Sequence, residues 1–559
     1  MKLKKILGTM MLAVGSTVIL SSCAKEDNIT YKKEKVEFVN LASDYYTLEH
    51  DYIDTYYVGD SNIKYADLGG FIKSLDGFYD AKVFKKLVSG FRNLYSVYVY
   101  ANVGGRIKFI GCTVDWQNNT ITISDPIFFN IIKQNSSIDF SAHLKDISSE
   151  TEGNTKITYN LSDYGFDIFY KDGKCLIPVS ILNTIFCSNS YFNIYNDGEK
   201  YYGVYYDLTA LPQDTRLDLK TCSLNTKEQT EELRLETYNQ LRFVIDYFYG
   251  LKELKGIDSK DLEPYKDRFL SLDPEENKQA YYDYFVPHLN ELHTRIGSYS
   301  FYAGTSFDTG NWNLDTAGEA RVNYRQVQNT LEPMAQEFYS GSANEAVKIS
   351  GETALLYFST FQTGSNEELS REDAYKYDTY AFMQYAMDQI KDKNIKNVVV
   401  DMSLNGGGNV GALFRALGFL SNDPIDVYQK NFANGTTNLS KLTVDTNGDN
   451  KYDENDGYEN YNWYVLSSLN TFSAANSFTA RAKALGAKVI GQKTGGGMCS
   501  VLPIVLADTT TIEISSNNAE IIKIGDDFQY IENGITPDIE IPYSKFYDME
   551  YLDSVIKGK

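Results

Sequence analysis

Apolar and polar positions alternate in short runs from about residue 36 to 215. Tyr95 to Ala101, Arg106 to Gly111, Thr120 to Ser124 and Tyr201 to Tyr206 follow this two-residue period, with Gly, Asn and Asp between them. The pattern predicts one or two β-rich modules over 36–215. Between about 226 and 295 the period becomes helical. Leu233, Leu241, Val244, Ile245, Phe248 and Leu251 fall on one face, and a second helix is expected from about Glu275 to Leu292, making a helical pair. Residues 296–350 are rich in Gly, Ser and Thr and read as an irregular connector. After Gly351 strands and helices alternate. Strands are expected at Ala354–Phe361, Lys396–Met402, Tyr464–Leu466 and Val489–Gly491, and helices at Ala374–Lys391, Val410–Leu420 and Ala474–Leu485. That order implies a largely parallel sheet flanked by helices over about 351–550.

The N-terminus changes the cellular picture. Lys2, Lys4 and Lys5 precede an apolar run, Ile6 to Leu20, which is too short to span a bilayer and reads as an export leader. The run closes with Leu20-Ser21-Ser22-Cys23, which resembles a bacterial lipobox. The resemblance implies removal of residues 1–22, a diacylglycerol on Cys23, a short tether over 23–35, and an exported protein held to the bacterial cell membrane or outer membrane. The net charge of −22 offers no basic stripe for a phosphate backbone, so nucleic acid is excluded as a partner. Five further cysteines, Cys112, Cys175, Cys187, Cys222 and Cys499, show no CxxC spacing, and their odd number leaves at least one thiol free.

Two segments carry candidate chemistry. Val398-Val-Val-Asp-Met-Ser-Leu-Asn-Gly-Gly-Gly408 ends a buried strand in glycines, whose amides can face a cleft unobstructed and hold an oxyanion; an ordinary strand-to-helix turn has the same composition. Tyr464-Val-Leu-Ser-Ser-Leu-Asn-Thr-Phe-Ser-Ala-Ala places Ser473 where a strand hands over to a helix. There the helix dipole favours a developing alkoxide, although a helix-capping serine would look alike. Together these segments resemble the core of the carboxyl-terminal processing, or tail-specific, serine protease family, which implies an α/β core of the crotonase and ClpP type. In that resemblance Ser473 is the nucleophile, and the amides of Gly406 or Gly407 and of Ala474 form the oxyanion hole.

The proton acceptor is less uniform. Relatives of the serine-lysine type place a lysine after the glycines of a turn similar to Val489-Ile-Gly-Gln-Lys-Thr-Gly-Gly-Gly-Met498. Here those positions are Gly497 and Met498, and Lys493 lies on the near side. The tricorn-like branch uses a histidine and a glutamate. Its histidine strand, Ala354–Phe361, has Tyr357 instead, whereas Glu532, in Tyr530-Ile-Glu-Asn-Gly-Ile-Thr-Pro-Asp538, matches the glutamate. A strand-end carboxylate that organises the Gly534 turn would also explain Glu532. All four histidines precede residue 300, and His293, in Leu289-Asn-Glu-Leu-His-Thr294, is the best placed unless it only caps a helix. The connector is too short for the PDZ module that many relatives use to select C-termini. Two stretches, Cys112–Ile123 and Asp172–Ser180, are also similar to the small domains named after the N-terminus of copper amine oxidase, but His50 and His143 alone make no copper site.

The expected function is a cell-surface, lipid-anchored serine endopeptidase acting on protein or peptide substrates and requiring no cofactor. The alternative is a protease fold retained as a peptide- or glycan-binding module. Separately, Asp445, Asn447, Asp449, Lys451, Asp453 and Asp456 occupy positions one, three, five, seven, nine and twelve of a loop resembling EF-hand and dockerin sites. They are candidate ligands for a structural calcium, with Lys451 offering only its carbonyl; a solvated acidic loop would share the pattern.

Overall fold

The computed structural model describes residues 29–103, 106–132, 136, 138–153, 155–303, 317–341 and 345–558. The leader 1–22, Cys23 and the start of the tether lie outside the described residues. Among the described residues no helix is long and apolar enough to cross a membrane, and the five cysteines are unpaired.

The alternating runs at the front of the chain form two sheets. One is seven-stranded and starts with Tyr31–Asn40; the other is five-stranded and built on the hairpin of Leu94–Val103 with Arg106–Asp115. These are not separable modules. Val36, Ile53, Cys112 and Ile121 share one apolar core with Leu241, Val244 and Ile245 of the helix Glu231–Phe248 and with Leu502, Ile504 and Ile512 near the C-terminus. Strand Leu144–Glu152, expected within the front module, pairs instead with Thr437–Val444 in a seven-stranded sheet of the C-terminal half. Alternation specifies a strand and its buried face, but not its hydrogen-bonding partner.

The second helix of the expected pair is shorter than predicted, Pro274–Asp283, and is followed by a single π-helical turn, Tyr284–His288, containing Pro287. Proline lacks an amide to donate, so the regular ladder stops there. The segment 296–350, expected to be irregular, holds a 20-residue helix, Glu319–Phe338. Only Arg321, Leu331 and Ala335 are buried on it, which leaves too sparse an apolar stripe to announce a helix.

The C-terminal half contains the expected α/β core. Six strands lie in the order Glu345–Ser350, Thr353–Phe358, Asn397–Asp401, Asn462–Ser467, Lys488–Gly491 and Ile539–Glu540; the first pair is antiparallel and the rest are parallel. Val398 and Val400 pack with Met383, Leu413 and Phe478 of helices Thr379–Ile390, Val410–Gly418 and Ala474–Ala484. Val399 points the other way, onto Leu331 and onto Leu552 of helix Met549–Ile556. Burial on both faces is why the run Val398-Val399-Val400 shows no polar alternation. Leu356 is fully buried within this core. Leu356→Ala is expected to cost about 3 kcal/mol, read as a lower urea midpoint at unchanged slope.

Candidate active site

Ser473 immediately precedes the helix Ala474–Ala484, as the sequence implies, but it does not cap it: its side chain makes no hydrogen bond to the helix amides. Its backbone adopts φ 56° and ψ −121°, a conformation that L-residues avoid, so the surrounding structure must hold it there. Two glycine turns do so. The Ser473 amide donates to Gly496 O at 2.8 Å, and the neighbouring Phe472 amide to Asn405 O at 3.2 Å. Gly407, at φ 112°, presses its bare Cα against the serine, where an added Cβ would lie 2.8 Å from Ser473 Cβ and 3.0 Å from Ala474 N. Gly496, at φ 81°, backs onto Glu532, whose carbonyl oxygen would stand 1.7 Å from an added Cβ.

The hydroxyl so presented meets an imidazole. His293 Nε2 lies 2.9 Å from Ser473 Oγ, across 180 residues of sequence. Strand Arg295–Ser298 pairs antiparallel with Thr511–Ile524 and carries His293 to the crevice, where its ring packs on Phe472 with centroids 4.6 Å apart. The His293 amide donates to Glu291 Oε2 at 2.8 Å. The ring therefore does not cap a helix. Burial lowers the His293 pKa from 6.5 to about 4, so the imidazole is neutral at ordinary pH and able to accept a proton. Its Nδ1 is buried and bonded to no protein group.

The sequence of the core corresponds to a known family: the model of peptidase family S41 matches residues 353–541. That segment is an S41 peptidase domain. Solved structures similar to the chain include a candidate peptidase from Parabacteroides merdae, with 17% identity over 58% of this chain and 96% of that one at a TM-score of 0.42. The photosystem II D1 C-terminal processing protease is 18% identical over 35% of this chain and 45% of its own, at a TM-score of 0.26. The tricorn protease is 11% identical over 94% of this chain and 64% of its own, at 0.35. No curated protein matches the sequence.

Within the S41 domain, the other candidate residues divide. Lys493 is exposed and makes no hydrogen bond or ion pair among the described residues. The group that the fold brings to the Ser473 hydroxyl is His293, not Lys493. Met498, where serine-lysine relatives have their lysine, is buried, and its amide donates to Glu532 Oε2 at 2.8 Å. Burial, together with the charge of Glu291, raises the Glu532 pKa to about 7, but its carboxylate makes no hydrogen bond to His293. Of the expected oxyanion donors, the Gly407 amide is turned onto Asn405 Oδ1 at 2.9 Å and is not available. Ala474 N and Gly406 N have no protein acceptor among the described residues.

Three residues near this site escaped the sequence reading. Glu291, buried two residues before His293, holds the histidine turn through the His293 amide and the Thr294 hydroxyl. Tyr324, on helix Glu319–Phe338, has its hydroxyl 3.2 Å from where a Gly406 Cβ would be, and its ring faces Phe472. Tyr249 has a buried, unbonded hydroxyl in the field of Glu291 and Glu532, which, after burial, raises its pKa. Only Glu291 had a local cue, since it shares the Leu289–Thr294 segment with His293.

The loop expected to hold calcium uses its carboxylates internally. Asp445 accepts from the Gly448 and Asn450 amides, Asp456 from those of Thr446 and Asp453, Asp453 from Asn455, and Asn447 from the Asp449 amide. Asp449 pairs with the Lys451 ammonium at 2.9 Å. Among the described residues no three acidic, histidine or cysteine side chains are grouped to hold a metal.

Gly407→Ala tests the crevice geometry. The new methyl group is expected to displace Ser473 and to slow its labelling by a fluorophosphonate about 100-fold while the far-ultraviolet circular dichroism is kept. Labelling at the wild-type rate would show that this wall does not define the site.

Proposed function

We propose that the protein is an active serine endopeptidase of the cell surface, lipid-anchored through Cys23, which cleaves exported proteins or peptides. The 2.9 Å contact between His293 Nε2 and Ser473 Oγ is the observation that carries this reading. In the proposed reaction Ser473 Oγ attacks the scissile carbonyl and its proton passes to His293 Nε2. The carbonyl oxygen becomes an oxyanion facing the Ala474 amide, at the positive end of an 11-residue helix, with Gly406 N opposite. His293 then protonates the leaving amine, and water hydrolyses the acyl-enzyme by the same route in reverse. Glu532, once ionised, stabilises the imidazolium through space. The lipobox and the apolar leader support the surface location.

The unpartnered His293 Nδ1 favours the second reading, a protease fold kept for binding, because a serine hydrolase normally fixes its histidine through that atom. A fluorophosphonate separates the two. Labelling of the wild type that is lost in Ser473→Ala and falls at least about 100-fold in His293→Gln supports the peptidase, and an unlabelled, folded wild type sinks it. The kcat/KM–pH profile has a defined sign. A base near 4 leaves His293 free over the usual range, so the neutral limb belongs to Glu532: activity rises through about pH 7 as that carboxyl ionises, and Glu532→Gln removes this limb.

A further inference from the structure

Away from Ser473, between the N-terminal sheet, the first turns of helix Glu231–Phe248 and the turn 505–509, lies a cavity of about 170 Å³. Val179, Ile194, Leu233 and Val505 give it apolar walls, and Lys64 and Glu236 both line it. Glu236 is only 8% exposed. One of its oxygens accepts from Ser180 Oγ at 2.7 Å, and the carboxylate has no other hydrogen bond among the described residues. Lys64 Nζ donates to Asn196 Oδ1 and lies 5.8 Å from the Tyr201 ring centroid. The two opposite charges line one cavity without forming an ion pair.

Burial disfavours the charged form of each group, and the attraction between them, acting without an ion-pair contact, only partly offsets this. The strain registers in both groups: burial pushes Glu236 up to about 7 and Lys64 down to about 8. A ligand bearing both complementary charges, with an apolar portion beside them, would relieve both. Size narrows the class. A cavity of about 150 Å³ takes up benzene, so 170 Å³ suits a molecule of fewer than about ten heavy atoms.

We propose that this cavity binds a free α-amino acid with a short aliphatic side chain, its ammonium on Glu236 and its carboxylate on Lys64. Asn196, already bonded to the lysine, orients that ammonium, and the side chain packs among Ile194, Leu233 and Val505. Binding here requires nothing of Ser473 or His293.

Calorimetric titration of the full chain tests it. L-valine is expected to bind saturably, and N-acetyl-L-valine and L-valinamide, each lacking one charge, at least about tenfold more weakly. Glu236→Gln and Lys64→Met are each expected to remove the valine signal while the circular dichroism is retained. The proposal is overturned if alanine, valine and leucine all fail to saturate at millimolar concentration, or if the blocked derivatives bind as well as valine. Should either variant misfold, the derivative series on the wild type decides alone.

Discussion

The backbone of Ser473 is held on the side of conformational space that L-residues avoid, and the geometry of the crevice follows from that constraint. A serine at φ 56° is stable only because Gly496 O receives its amide and Gly407 leaves room for its Cβ. The same turn starts the helix Ala474–Ala484, frees the Ala474 amide and aims the hydroxyl outward at His293. Replacing any of these glycines inserts a methyl group into another backbone, since the approaches were made on the assumption of no side chain. The glycine-rich turns are therefore a steric requirement of the serine as much as a source of oxyanion donors.

The histidine shows how the parts of the chain depend on one another. It is delivered by a strand that pairs with Thr511–Ile524, behind a helix whose core extends into the N-terminal sheets. The helical segment and the front of the molecule thus belong to the scaffold that positions His293. His293 is dry, neutral and against an aromatic ring, which makes it ready to accept a proton and costly to leave charged. Glu532 and Glu291 are the nearby carboxyls that can offset that charge; both are raised by burial, Glu532 also by the charge of Glu291, while the His293 amide, Arg321 and Lys255 act to lower Glu291. The electrostatics of the site are a balance between desolvation, which disfavours every charge there, and the cations and amides that favour the carboxylates.

The cavity at Lys64 and Glu236 is built from the same junction. Its walls come from the front sheet, from helix Glu231–Phe248 and from the end of strand Cys499–Val505, whose other end reaches Cys499 in the electrostatic field of Glu532 and Glu291. A seven-residue strand spans about 20 Å, so the cavity and the catalytic crevice are separate but joined by continuous elements.

The sequence by itself determined the local features. Runs of period two and 3.6 gave the strands, the helix Glu231–Phe248 and the alternating core, because those periods reflect which side of an element meets water. The glycine turn, Ser473 and the S41 resemblance were also written locally. Tertiary structure decided the rest. Whether Lys493 or His293 meets the Ser473 hydroxyl depended on a contact spanning 180 residues, which has no sequence period. Strand Leu144–Glu152 had a clear pattern, but its partner came from the far half of the chain, since backbone hydrogen bonds do not distinguish one strand from another. The Gly407 amide was a reasonable oxyanion donor until Asn405 turned to accept it. A polar group goes to the nearest partner that folding supplies, and only the folded chain specifies which one that is.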